Sequence, residues 1–415
     1  MSNRIANLSA AGLTGLALIL AVVSIFLMGF VFPDFHVWRS HGPILEAALF
    51  SSLMLLFVPV MGLARFSFGY LLSVPLLLAV TGFVWLSFFS QFAYQKDLAR
   101  WSMIAALACA LAPLLFVKWN IRRPQLSETA ISRLAGFLML LSGAVLLSDA
   151  LYGVAFDYPD SQARTLVTRP VLLNYATGII IISILPYLFA FHTARRSFLL
   201  AGLVLFLLLA FYPIVVNKTV LFAAVALPGT FLLFSYCEPR IATILIYIGV
   251  IAVGLIDYSV TSEHLYAFSY LNLRFVGMPS IAIDHYADFF ANRPTTGFCQ
   301  VSIIRHFFGC AYGELGPALA AVYRNGNLNA SFFATEGIAS VGFKLTPLMA
   351  GICGLILSLG NIVSQHLAPR FVAVSACALV PTLLNVPMTT ALVSNGAAIL
   401  FLLWWLTPDH LSGGK

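Results

Sequence analysis

Charge is scarce in this sequence. Only 9% of its 415 residues are Asp, Glu, Lys or Arg, and 61% are hydrophobic, against roughly 25% charged and 45–50% apolar in soluble domains. That balance excludes an ordinary soluble enzyme. Cysteine is scarce as well: of six, Cys109, Cys237, Cys353 and Cys377 stand alone in apolar runs or at their edges, as small packing residues do. Neither a disulfide-dense scaffold nor a zinc module with paired ligand spacing is encoded. The 22 basic residues form no stripe that could track a phosphate backbone, which removes nucleic acid as a partner. No internal repeat or low-complexity tract is present. Absent too is a pair of Gly/Pro-broken spans in corresponding halves, the mark of an inverted-repeat transporter.

What the chain does have is long apolar runs. They last about 17 to 25 residues, the length a helix needs to cross roughly 30 Å of hydrocarbon. The first extends from Leu8 to Phe32, too long for the core of a cleavable signal and followed by no small-residue cleavage site, so it reads as a retained span. Others fall near 43–63, 67–92, 101–118, 134–152, 171–191, 197–214, 219–236, 240–257, 344–360, 370–385 and 388–406. The reading is an all-α polytopic membrane protein of about twelve transmembrane helices. The break at Asn385-Val386-Pro387 is its weakest boundary. Residues 1–257 hold nine spans, 258–343 form one large loop with short interfacial helices, and 344–415 hold three spans and a tail.

Basic residues in short loops orient such a chain. With both termini cytoplasmic, the inner side carries Arg4, Arg65, Lys118, Arg122, Arg123, Arg133, Arg195, Arg196, Arg240, Arg370 and Lys415. The outer short loops carry Arg39, Lys96, Arg100, Arg164, Arg169 and Lys218. Eleven against six sets the large loop outside.

A loop of about 85 residues exceeds what connection requires, and loops of that size are functional or disordered. Its many Tyr and Phe residues argue against disorder and suit an interfacial belt or stacking on sugar faces. Cys299 and Cys310 share it, and in an oxidising compartment a disulfide between them would contribute roughly 2–3 kcal/mol; two unpaired thiols are the alternative. Met278-Pro279-Ser280 opens a short helix through Phe290 with proline in its first turn. Asp284 and Asp288 sit one turn apart on it. A membrane-surface helix, a carboxylate acting in a reaction and a metal site through Asp284, His285 and Asp288 are the three readings of that pattern. A second helix is expected from Asn327 to Gly342, capped by asparagine and lined by Ala330, Ala334, Gly337 and Val341 for close packing. Glu336 rides on it toward the bilayer, and an ionisable group there is a functional candidate, with pairing to Arg305 or Arg324 as the structural alternative.

Outer cations are the other candidates. The planar fork of arginine matches phosphate oxygens. Arg274, Arg305, Arg324, Arg164 and Arg169, with Lys218 at the edge of a span, would suit a lipid-linked pyrophosphate; singly, each also serves as a headgroup anchor.

Three local patterns carry a resemblance: Arg274-Phe275-Val276-Gly277-Met278-Pro279 leading to Tyr286 and Phe289-Phe290; Asn327 and Asn329 followed by Glu336-Gly337 and Gly342; and Asn217-Lys218-Thr219 at the start of a span. With the twelve-span plan and the large late loop, they make the chain similar to the Wzy-type polymerases of bacterial surface polysaccharides, and distantly to the O-antigen ligases. The resemblance implies a type C glycosyltransferase-like fold in the bacterial inner membrane with its active site facing the periplasm. It also implies transfer of a growing glycan from undecaprenyl pyrophosphate to the non-reducing end of a new lipid-linked repeat unit, without cofactor or metal. The implied partners are that lipid-linked oligosaccharide, membrane lipid and a chain-length-regulating co-polymerase. Such a reaction needs cations for the departing pyrophosphate and a base for the acceptor hydroxyl. Arg274, Arg305 and Lys218 are the first choices for the cations, with Arg164, Arg169 and Arg324 behind them. Glu336, then His306 and Asp284, are the choices for the base, and Tyr286, Asn327 and Asn329 are glycan-binding candidates. The ligases carry a histidine near the start of the segment that here reads Asn327-Leu328-Asn329, which favours polymerase. The competing readings are a ligase, a flippase or transporter of lipid-linked sugars, which would place ionisable groups in mid-span, and a membrane-embedded acyltransferase, which would place a histidine motif on a span.

Overall fold

The computed structural model describes residues 3–37, 43–119, 124, 126–154, 169–216, 218–261, 265–325, 328 and 333–409. Among them the chain is all helical, with one isolated bridge, Val37 to Ser90, in place of any strand. In chain order the helices are α1 (Asn3–Val31), α2 (Ile44–Leu63), α3 (Phe68–Leu86), α4 (Lys96–Phe116), α5 (Glu128–Ala150), α6 (Val171–Ala194), α7 (Phe198–Val215), α8 (Lys218–Tyr236) and α9 (Pro239–Val260). After these come α10 (Met278–Phe289), α11 (Ser302–Phe308), α12 (Leu315–Tyr323), α13 (Thr346–Ser364), α14 (Pro369–Ala376), α15 (Leu379–Asn385), α16 (Met388–Val393) and α17 (Ala397–Leu406).

Ten of these, α1 to α9 and α13, are long and apolar enough to cross a membrane. Leu140, Leu172 and Leu199 stand on their outer faces 77%, 80% and 93% exposed, a surface that suits hydrocarbon and not water. The chain is a multi-pass membrane protein. Ser67 and Ser127 start α3 and α5 by accepting the amides of Tyr70 and Ala130 at 3.1 and 3.2 Å, as N-caps do.

The last two apolar runs differ from the rest. Residues 370–385 divide between α14 and α15, and 388–406 between α16 and α17, so neither is a continuous span. Gly396, at φ +78°, turns the second break, and a Cβ there would lie 2.9 Å from Ile179. Helix α6 also continues through His192, which is buried; the apolar run 171–191 stops one residue short of it.

The chain forms two compact units. The first comprises residues 1–117, 240–358 and 383–388, and the second the remainder. In the first unit every residue of α3 is buried. Against it, and against α1, lies a π-helical stretch, Phe268–Gly277, that runs directly into α10. Small residues allow that approach. A Cβ on Gly254 would fall 1.9 Å from Asn272 Oδ1, and one on Gly82 2.3 Å from Ser280 Oγ. Asn272 donates to Ser24 Oγ at 2.9 Å and to the Ile251 carbonyl at 3.1 Å, and Ser280 donates to the Ala79 carbonyl at 2.9 Å. In the second unit α6 packs on α7 and α14, and the Ser183 hydroxyl donates to the Asn395 carbonyl at 2.8 Å.

Candidate functional site

Helix α10 advances about 100° per residue, so three consecutive side chains reach three different neighbours. Asp284, His285 and Tyr286 are all buried, at 0%, 0% and 1% exposure.

Asp284 turns to the connection between α3 and α4. Ser90 Oγ donates to Oδ2 at 2.8 Å, and the Tyr94 hydroxyl donates to Oδ1. Lys96 bonds the Ser90 carbonyl at 2.6 Å and attracts the same carboxylate. Burial outweighs these favourable contacts and raises the Asp284 carboxyl to about 7; the Asp288 charge adds to the rise. Burial, then the neighbouring Asp284 charge, pushes the Tyr94 phenol well above its ordinary range, so it stays a donor.

His285 enters a cage of rings. Phe92 and Tyr323 meet it edge-on at 4.9 and 4.7 Å between centroids, with Phe35 and His36 beyond. Its Nδ1 lies 2.9 Å from the Ile281 carbonyl and its Nε2 3.1 Å from Asn325 Nδ2. A carbonyl only accepts and an amide nitrogen only donates, so the ring is neutral with its proton on Nδ1. Burial lowers its pKa to about 4. The Tyr323 hydroxyl donates to Asp288 at 2.6 Å. Burial, then that bond, raises its phenol.

Tyr286 turns to a second π-helical stretch, Phe333–Ala339, buried throughout. Its hydroxyl reaches the Leu328 carbonyl at 3.3 Å, with Thr335 and Glu336 alongside. Burial, with the Glu336 charge adding to it, raises this phenol too. Glu336 is 4% exposed, and its Oε1 accepts the Met388 amide at 2.7 Å; Cys353 lies within its field. A π turn inserts an extra residue, re-aims its side chains and recurs at functional sites.

Tyr286 and Glu336 thus meet beside α10, while Asp284 leaves the same helix toward the connection between α3 and α4. The remaining candidates lie elsewhere. His306 is exposed on α11, against Phe307. Arg305 donates to the Gly313 carbonyl at 2.7 Å, beside the disulfide that joins Cys299 to Cys310 with Cα atoms 5.1 Å apart. Arg274 is exposed on its π stretch, and Arg324, at φ +60°, closes α12 in solvent. Lys218 and Arg169 belong to the second unit, Lys218 exposed at the start of α8. Arg169 lies 3.6 Å from buried Asp149, which also accepts the Thr177 hydroxyl at 2.6 Å. Arg164, Asn327 and Asn329 lie outside the described residues. No group of His, Cys, Asp and Glu able to hold a metal occurs among the described residues.

Ser90, Tyr94 and Lys96 are site residues that sequence reasoning passes over. Lys96 and Arg100 register only as topology charges. Yet Arg100 is 7% exposed, stacked over Phe88 at 3.4 Å and bonded to Ser87 and Asp97, so it braces the same connection. Two cations, Lys96 and Arg100, one turn apart at the start of an apolar run were the available signal.

No family model, curated protein or solved structure matches the chain.

Proposed function

We propose that the chain polymerises lipid-linked oligosaccharide repeat units, moving a growing glycan from undecaprenyl pyrophosphate to the non-reducing end of a new lipid-linked unit. The observation that carries this reading is the burial of Glu336 and Asp284 around α10, outside the ten long apolar helices. Glycosyl transfer to a hydroxyl needs a group that accepts its proton, and a buried carboxylate can do so.

In the proposed step the acceptor hydroxyl attacks the anomeric carbon of the donor glycan. The new C–O bond forms as the bond to pyrophosphate breaks. The hydroxyl proton passes to Glu336, held by the Met388 amide, and the electron pair leaves with the pyrophosphate. Arg274 and Arg305, with Arg324, all in the first unit, are assigned to that leaving anion. Tyr286, Asn327 and Asn329 are assigned to the glycan. In this reading the enzyme sits in the bacterial inner membrane and works at the periplasmic face, alongside a chain-length-regulating co-polymerase. A transporter is the second reading, favoured by the discontinuous stretches α14/α15 and α16/α17, since broken helices line transport sites.

The test uses purified protein in vesicles with an undecaprenyl-pyrophosphate-linked repeat unit. A ladder of longer glycans is expected, and Glu336→Gln should slow it by about 10² or more. Movement of the intact substrate across the vesicle with no ladder would replace polymerase with transporter.

A further inference from the structure

We propose that the backbone amide of Met388 is the positioning donor for Glu336, which makes the break between α15 and α16 part of the site. This rests on the reading of Glu336 as the base.

The course of the chain singles out this short piece. Residues 359–382 and 389–415 belong to the second unit, but Leu383–Met388 belongs to the first. Helix α15 ends at Asn385 and α16 opens at Met388, with Pro387 between them unable to donate. The amide of a helix's opening residue has no partner within its own helix. Met388 can therefore give its N–H to Glu336 Oε1, at 2.7 Å, without removing a bond from α16. Fixing one carboxylate oxygen fixes the plane of the group, and so the direction in which it can accept a proton. The π turn that carries Glu336 packs on α10, which places Tyr286 and Thr335 on one flank, while the Met388 amide approaches from a separate stretch of chain.

A backbone donor can be deleted selectively. Proline is tolerated at the first position of a helix, so Met388→Pro removes the N–H, whereas Met388→Leu retains it. In the vesicle assay with undecaprenyl-pyrophosphate-linked repeat unit, Met388→Leu, which keeps the N–H, is the reference. Met388→Pro should lower kcat about 10- to 100-fold with KM within about twofold, the range for one hydrogen bond to a charged group. Added to Glu336→Gln, which keeps a measurable residual rate, Met388→Pro should produce no further fall, because the amide acts through that carboxylate. Equal kcat in Met388→Pro and Met388→Leu would overturn the proposal. So would a second, equal fall on the Glu336→Gln background. If Met388→Pro does not insert, replacing the amide at 388 by an ester removes the same N–H, with the same two outcomes. Full activity in Glu336→Gln alone would overturn the base assignment itself, whatever the Met388 variants do.

Discussion

Adjacent residues on α10 carry opposite electrostatic burdens. Asp284 is raised by burial to about 7 and His285 lowered by burial to about 4. A native carboxyl that holds its proton to higher pH than the unfolded chain does loses stability as pH rises from about 4 to 7. A native imidazole that refuses its proton loses stability as pH falls from about 6.5 to 4. In the wild type the two slopes oppose each other over one window. Asp284→Asn should unmask the histidine slope, so that melting temperature in detergent rises more steeply with pH between 4 and 6.5 than in the wild type. Superimposable profiles would show that Asp284 is not held in its raised state. Sequence reasoning found both residues, because a carboxylate and a histidine on a proline-started helix are visible without coordinates. It did not find what holds them: Ser90 and Tyr94 are 194 and 190 positions away from Asp284. Nor did it distinguish a buried helix from one lying on the membrane surface, since Ile281, Phe289 and Phe290 satisfy either.

Apolar run length read the first nine helices and α13 to within about six residues, because hydrocarbon imposes a length and a composition on a spanning helix. It misread α14 to α17 as two continuous spans. Apolar content is the same in a broken helix, but both breaks carry a local signal: Pro381 stands four residues after Cys377, where its ring and missing N–H oppose an unbroken helix, and Asn395-Gly396 is a turn pair. The π-helical stretches were hidden, for a π turn has no compositional signature. The close seat of Phe268–Gly277 depends on glycine in its neighbour α9. Gly254→Ala would drive a methyl group into Asn272, which bonds α1 and α9. Overpacking of this kind costs about 1–3 kcal/mol, so a lowered melting temperature in detergent is expected. An unchanged melting temperature would mean the stretch is not seated there.

On the scale of the whole molecule, scarce charge proved the most informative property. It established a multi-pass membrane protein and left few ionisable groups to explain. The first unit concentrates Asp284, His285, Tyr286 and Glu336 around one helix outside the long apolar spans, and the second holds the Asp149, Arg169 and Thr177 cluster. The interleaving of the two units along the chain could not be read from hydropathy, which reports spans and not their partners. The proposed glycosyl transfer from a lipid pyrophosphate is assigned to the first unit's cluster. Its most direct measurement counts undecaprenyl pyrophosphate released against glycosidic bonds formed by the purified protein in vesicles. One is expected for each bond, with both falling together in Glu336→Gln. Substrate recovered intact, with no pyrophosphate released while lipid-linked sugar crosses the bilayer, would contradict it.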